Sequence, residues 1–184
     1  MRAIEYLRQM PAVFTNRDLM RKFGQTEAWA KLSLSRWKGY DLVRPAGPRL
    51  GIYYNLVVDP DWKAHLPEAA RMAFPSAVVI GATVLHRHGW TTQIPQYLFL
   101  AVLKSPTQPK MDGVLVFDRP HSWYVEFSPW GEPIYGLPAL TPFNALRDCH
   151  LHANEQGMWC PDEDDLDIPE EEEDIVHAYL AGRT

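Results

Sequence analysis

The stretch TNRDLMRKFGQTEAWAKLSLSRWKGYDLVRPAGPRLGIYYNL, Thr15 to Leu56, carries the signals that decide the fold. Thr15 can accept a hydrogen bond at the head of a helix. Asp18, three positions on, can return one to the cap and favours the positive end of the helix dipole. That helix should run to about Phe23, where Gly24 supplies the left-handed turn that ends helices. Thr26 and Glu27 open another helix, which stops at Gly39. Leu42-Val43-Arg44 and Ile52 to Leu56 then read as two strands, separated by the proline- and glycine-bearing loop 45–51. Upstream, Ile4, Leu7 and Met10 recur at helical spacing until Pro11 breaks the period. Three helices followed by a β-hairpin make a winged helix-turn-helix.

Ala30, Leu34 and Trp37 form an apolar stripe on the third helix, which turns Ala28, Lys31, Leu32, Ser35 and Arg36 outward. Such a face suits duplex DNA. Cations pair with phosphates or guanine edges, hydroxyls with either, and small apolar groups with a thymine methyl. The candidate DNA-binding residues are therefore Thr26, Lys31, Ser35, Arg36 and Lys38 on this helix, with Arg44 and Arg49 flanking the wing. The competing reading is a winged helix used only for protein contacts.

The charge distribution agrees with a nucleic-acid role for the first part of the chain. The 184 residues carry a net charge of −5. Residues 1–66 hold 11 Lys and Arg against 6 Asp and Glu, whereas 67–184 hold 7 against 17. A basic segment can approach a polyanion, and an acidic one suits a neutral or cationic protein surface. These shifts suggest two domains, 1–66 and 67–184. The fold class expected is α+β, a winged helix-turn-helix followed by a mixed α/β domain with a small sheet.

In the second part, Pro67-Glu68 begins a short helix, and Ser76 is expected to cap an apolar helix from Ala77 to about His88, ended by Gly89. Trp90 to Ile94 should be extended ahead of Pro95. Gln96 to Val102 reads as an apolar strand covered on both faces. Further strands are expected at Val114 to Phe117 and Trp123 to Phe127, with Ile134-Tyr135 a short one. Thr141-Pro142 opens a helix to about His152. Residues 162–174, DEDDLDIPEEEED, read as an acidic loop leading into a terminal helix docked by Ile175, Val176, Tyr179 and Leu180, or else as an acidic surface that meets a basic partner or restrains the basic N-terminal domain.

Metal and catalytic readings are weak. His86 and His88 lie about 200° apart on a helix, a poor pair of ligands. Cys149, His150, His152 and Cys160 do not follow the usual zinc spacings. An enzyme acting on nucleic acid would need a metal, for which Asp162, Asp164 and Asp165 are the candidates. No glycine-rich phosphate loop, G-x-S-x-G elbow or H-E-x-x-H is present. The expectation is therefore no enzyme, no cofactor and no bound metal. The start MRAIEYLRQM has no signal-peptide block, and the longest apolar run, Ala77 to Leu85, is nine residues. A cytoplasmic protein without membrane attachment follows, with its two cysteines reduced. With no coiled-coil seam, a monomer or weak dimer is expected.

The winged-helix start, the segment HGWTTQIP before an apolar strand, and LTPFNALRDCHLH together resemble AbiEi-type antitoxins, the regulator half of type IV toxin-antitoxin pairs. Gly89 to Pro95 is the most specific part, and the similarity covers most of the chain. The resemblance implies a repressor that binds the double-stranded operator DNA of its own operon. It also implies a C-terminal domain that neutralises a cognate nucleotidyltransferase-like toxin. Carried over by position, Lys31, Ser35 and Arg36 lie on the recognition helix, and Arg44 and Arg49 near the wing. The alternative is a protein-interaction module whose winged helix does not bind DNA.

Overall fold

A computed structural model describes residues 2–182. By contact the chain divides into two compact units. The first takes the residues up to Pro75 together with Ser105–Val114, and the second takes Ser76–Lys104 together with Leu115 onward. The fold is α+β, with eight α-helices and two three-stranded sheets among the described residues. No helix among them is long and apolar enough to cross a membrane.

The first unit runs α1 (Arg2–Leu7), β1 (Val13–Thr15), α2 (Asn16–Phe23), α3 (Glu27–Gly39), β2 (Val43–Pro45), β3 (Ile52–Asn55) and, after a 3₁₀ turn at Trp62–His65, α4 (Leu66–Ala73). Its local signals are literal. Thr15 and Asp18 form a reciprocal capping box, Gly24 closes α2 at φ 61°, and the Thr26 hydroxyl accepts from the backbone N–H of Trp29. Both strands of the expected hairpin form, but β3 sits at the centre of an antiparallel sheet ordered β1-β3-β2. Strand β1 was not anticipated; three residues between a proline and a helix cap are too few to show alternation. The core is a continuous cluster including Leu7, Phe14, Leu19, Ala30, Leu34, Trp37 and Val43. An aromatic group of Tyr6, Phe23, Trp29 and Trp37 packs edge to face beside it.

The boundary expected after residue 66 falls at the start of α4 instead of outside it. Ala69 and Ala70 are fully buried, and α4 packs on β3, so the division comes after Pro75. The excursion Ser105–Val114 also joins the first unit, which no local pattern announces.

The second unit runs β4 (Val78–Val79), α5 (Gly81–Arg87), β5 (Leu98–Leu103), β6 (Val114–Arg119), α6 (His121–Glu126), α7 (Pro142–Leu151) and α8 (Glu170–Ala181), with β5 central in the order β4-β5-β6. Its first helix is shorter than expected. Val78 and Val79 pair with Ala101 and Leu100, so the β-branched run extends before α5 starts at Gly81. Ser76 caps no helix; its Oγ accepts from the backbone N–H of Leu103. The strand expected at Trp123–Phe127 is mostly helix α6. The aromatic residues there suggested a sheet, but Trp123 and Phe127 are one helical turn apart and stack at 5.0 Å. Ile134 makes only a single bridge, to Leu137. Residues 91–95 are irregular. Helix α7 begins as expected, with Thr141 accepting from Asn144 and Pro142 in the first turn. In α8, Val176 is buried but Ile175 is half-exposed, so Ile175 is not a docking residue.

Candidate nucleic-acid interface

Helix α3 presents the two faces that its sequence encodes. Ala30, Leu34 and Trp37 are buried, while Thr26, Lys31, Leu32, Ser35, Arg36 and Lys38 are exposed. Leu32 is 53% exposed, which fixes the rotation of the helix and makes that side chain part of the outer surface. The turn from α2 and the packing of Trp37 against Tyr6 and Trp29 hold this face on a rigid base.

A groove of about 570 Å³ lies between α3 and the β2–β3 hairpin, lined by Lys31 and Lys38 from the helix and by Arg49 from the hairpin tip. The two lysines are seven positions apart, two helical turns, and so share a side. Arg49 takes a left-handed backbone conformation, φ 63°. Tyr53, Asp112 and Asn16 also line it, the last at the first position of α2 with its backbone N–H donating to the Gly51 carbonyl. Arg36, Lys38 and Arg49 have no carboxylate partner among the described residues.

The other candidate cations are partly committed. Lys31 Nζ lies 2.6 Å from Glu27 Oε1 one turn earlier. That hydrogen bond, with the attraction of opposite charges, raises the lysine pKa and lowers the glutamate's. Both side chains are largely exposed, so the pair opens at small cost. Arg44 is held more fully. Its Nη2 donates to Asp112 Oδ2 at 3.0 Å, and its guanidinium lies 4.2 Å above the Trp62 ring. Arg44 is therefore paired with Asp112 while its side chain stays 42% exposed. Below it Tyr54 is 1% exposed, and burial, followed by the nearby Asp112 charge, pushes its phenol pKa upward.

The structure thus brings Lys31, Lys38 and Arg49 to one groove, keeps Thr26, Ser35 and Arg36 on the exposed surface of α3, and pairs Arg44 with Asp112. Sequence reading missed Asn16, Tyr53 and Asp112. Asn16 lay hidden in a capping sequence that explained itself without a binding role. Asp112 is 68 positions from its arginine partner, beyond any local signal.

In the second unit the titratable groups form internal networks. Arg119 and Asp148, both fully buried, meet through two hydrogen bonds of 3.2 and 3.3 Å. Arg119 also binds Glu155, and Asp148 accepts from the Trp123 indole at 2.7 Å. His86 Nδ1 faces the Thr91 carbonyl at 3.3 Å. Cys149 is buried on α7 with its thiol pKa pushed upward, first by burial and then by Asp148. Among the described residues no group of three or more His, Cys, Asp or Glu is placed to hold a metal ion. No protein-family model matches the chain, and no curated protein matches it.

Proposed function

We propose that the first unit is a winged helix-turn-helix that binds duplex DNA, and that the protein is a transcriptional repressor. The observation that carries this reading is the convergence of Lys31, Lys38 and Arg49, from two different elements, on one groove beside the exposed face of α3. Cations held outward by a rigid base release counterions from DNA when they reach phosphates. The same helix offers Arg36 and Ser35 to base edges and Leu32 to a thymine methyl. Helix α3 is then the recognition helix and the β2–β3 hairpin the wing.

Fluorescence anisotropy with operator and scrambled duplexes tests this reading. Arg36→Ala should weaken operator binding by about 1–3 kcal/mol if Arg36 reads a base, leaving scrambled duplex nearly untouched. Lys38→Ala should weaken both duplexes alike. Unchanged affinity in both variants would remove the proposed face. A wild-type chain with no duplex affinity at low salt would favour the protein-interaction module instead.

The antitoxin role is a second layer of the proposal, supported by the resemblance of HGWTTQIP and LTPFNALRDCHLH to AbiEi-type antitoxins. It assigns neutralisation of a nucleotidyltransferase-like toxin to the second unit. Co-expression with the product of a neighbouring reading frame of that type tests it: growth rescue supports the assignment, and unrelieved toxicity rejects it.

A further inference from the structure

We propose that Asp112 is an affinity restraint on this interface: it occupies Arg44 and so withholds one cation from DNA phosphates. This rests on the duplex-binding reading and names a restraint within it.

The segment Ser105–Val114 is a strap on the hairpin. Asp112 N–H donates to the Ala46 carbonyl at 3.0 Å, which fixes the strap backbone beside β2. The Lys110 carbonyl oxygen comes so close to Gly47 that an added Cβ would lie 2.1 Å from it. Only glycine allows the hairpin and strap to meet at that point. Anchored in this way, Asp112 lines the groove that holds Lys31, Lys38 and Arg49, and also the adjoining pocket with Lys38 and Arg44. It is the acidic member of the first groove's lining.

The chemistry of the pair suits a restraint better than a structural lock. The Arg44 and Asp112 side chains are 42% and 53% exposed, so solvent screens their attraction and the bridge opens readily. Seating Arg44 on a phosphate first requires breaking its bridge to Asp112, so the carboxylate lowers duplex affinity by the worth of that pair. Trp62 beneath the guanidinium keeps Arg44 near the groove when the bridge opens.

The test uses the full-length chain and a labelled mixed-sequence duplex. Asp112→Asn keeps the shape and the backbone bond to Ala46 while removing the charge, and Asp112→Ser is a second, smaller replacement. Both should bind the mixed duplex about threefold to tenfold more tightly, with the slope of log affinity against log salt steeper by about 0.9, one further phosphate contact. Adding Arg44→Gln to Asp112→Asn should cancel the gain. Melting curves matching wild type establish that the variants are folded. If wild type binds duplex and folded Asp112 variants bind it no better, the restraint is refuted and the DNA-binding reading survives. A gain that persists without Arg44 also refutes it. Loss of one preferred sequence alone would make Asp112 a base-reading residue instead. If neither wild type nor any variant binds duplex, both readings fall.

Discussion

Arg119 and Asp148 are charged residues that have been removed from water, and that makes their partnership conditional on every bond. Asp148 receives two guanidinium hydrogen bonds and one from the Trp123 indole, all inside the second unit. Arg119 adds Glu155, whose side chain is partly exposed. Deleting one partner of a buried ion pair leaves the other charge uncompensated, which costs more than the pair itself contributes. Asp148→Asn should therefore destabilise the protein by about 3 kcal/mol, read from the urea midpoint at constant m value. Trp123→Phe, which removes one donor to the charged Asp148 and leaves a smaller ring in a buried site, should cost about 2 kcal/mol. Equal losses in the two variants would mean that packing around α7 dominates and the charge pair does not. These residues were invisible as a network in the sequence. Arg119 lay beyond an expected strand, Trp123 opened an expected aromatic one and Asp148 sat on a helix, with nothing local to join them.

At the scale of elements, legibility followed the strength of local chemistry. Thr15, Asp18, Gly24 and Thr26 each act within four residues of themselves, and the helices they bound, α2 and α3, appear where the sequence puts them. The Thr141-Pro142 start of α7 belongs to the same class. Removing the Thr15 hydroxyl by Thr15→Ala should cost about 1 kcal/mol, because the Asp18 N–H loses its acceptor and the Asp18 carboxylate loses the hydroxyl. A thermal melt measures this, and a change near zero would show that water replaces the cap fully. Misreadings occurred where tertiary pairing overruled composition. Val78 and Val79 lie in an apolar run that fits a helix by length, yet β5 supplies a strand partner. Trp123 to Phe127 is rich in aromatics that favour sheets, yet burying Trp123 and Phe127 together requires helical spacing. The candidate interface divides in the same way. Lys31 was readable from helical periodicity and Lys38 from its place at the helix end, whereas the capture of Arg44 by Asp112 depends on a strap from a distant part of the chain.

For the whole molecule, overall charge and local charge make opposite forecasts. The chain is acidic, with a net charge of −5 and an isoelectric point near 5.8. Its first unit nevertheless carries 13 Lys and Arg against 8 Asp and Glu, and the second 5 against 15. If net charge governed duplex binding, neutralising Glu170–Glu173 at the head of α8 would strengthen it as effectively as any change. Counterion release argues otherwise. The salt slope counts cations seated on phosphates, at about 0.9 per contact, and carboxylates that seat on none are not counted. Replacing all four glutamates by glutamine should then leave the slope unchanged, although it raises the net charge by four units. Lys31→Gln and Lys38→Gln should each reduce the slope by about 0.9 and add when combined, since the residues lie on separate turns of α3. Anisotropy titrations at four or five salt concentrations would separate these outcomes. A slope that follows net charge across both sets of variants would mean diffuse attraction, and the groove beside α3 would then have no special part in binding.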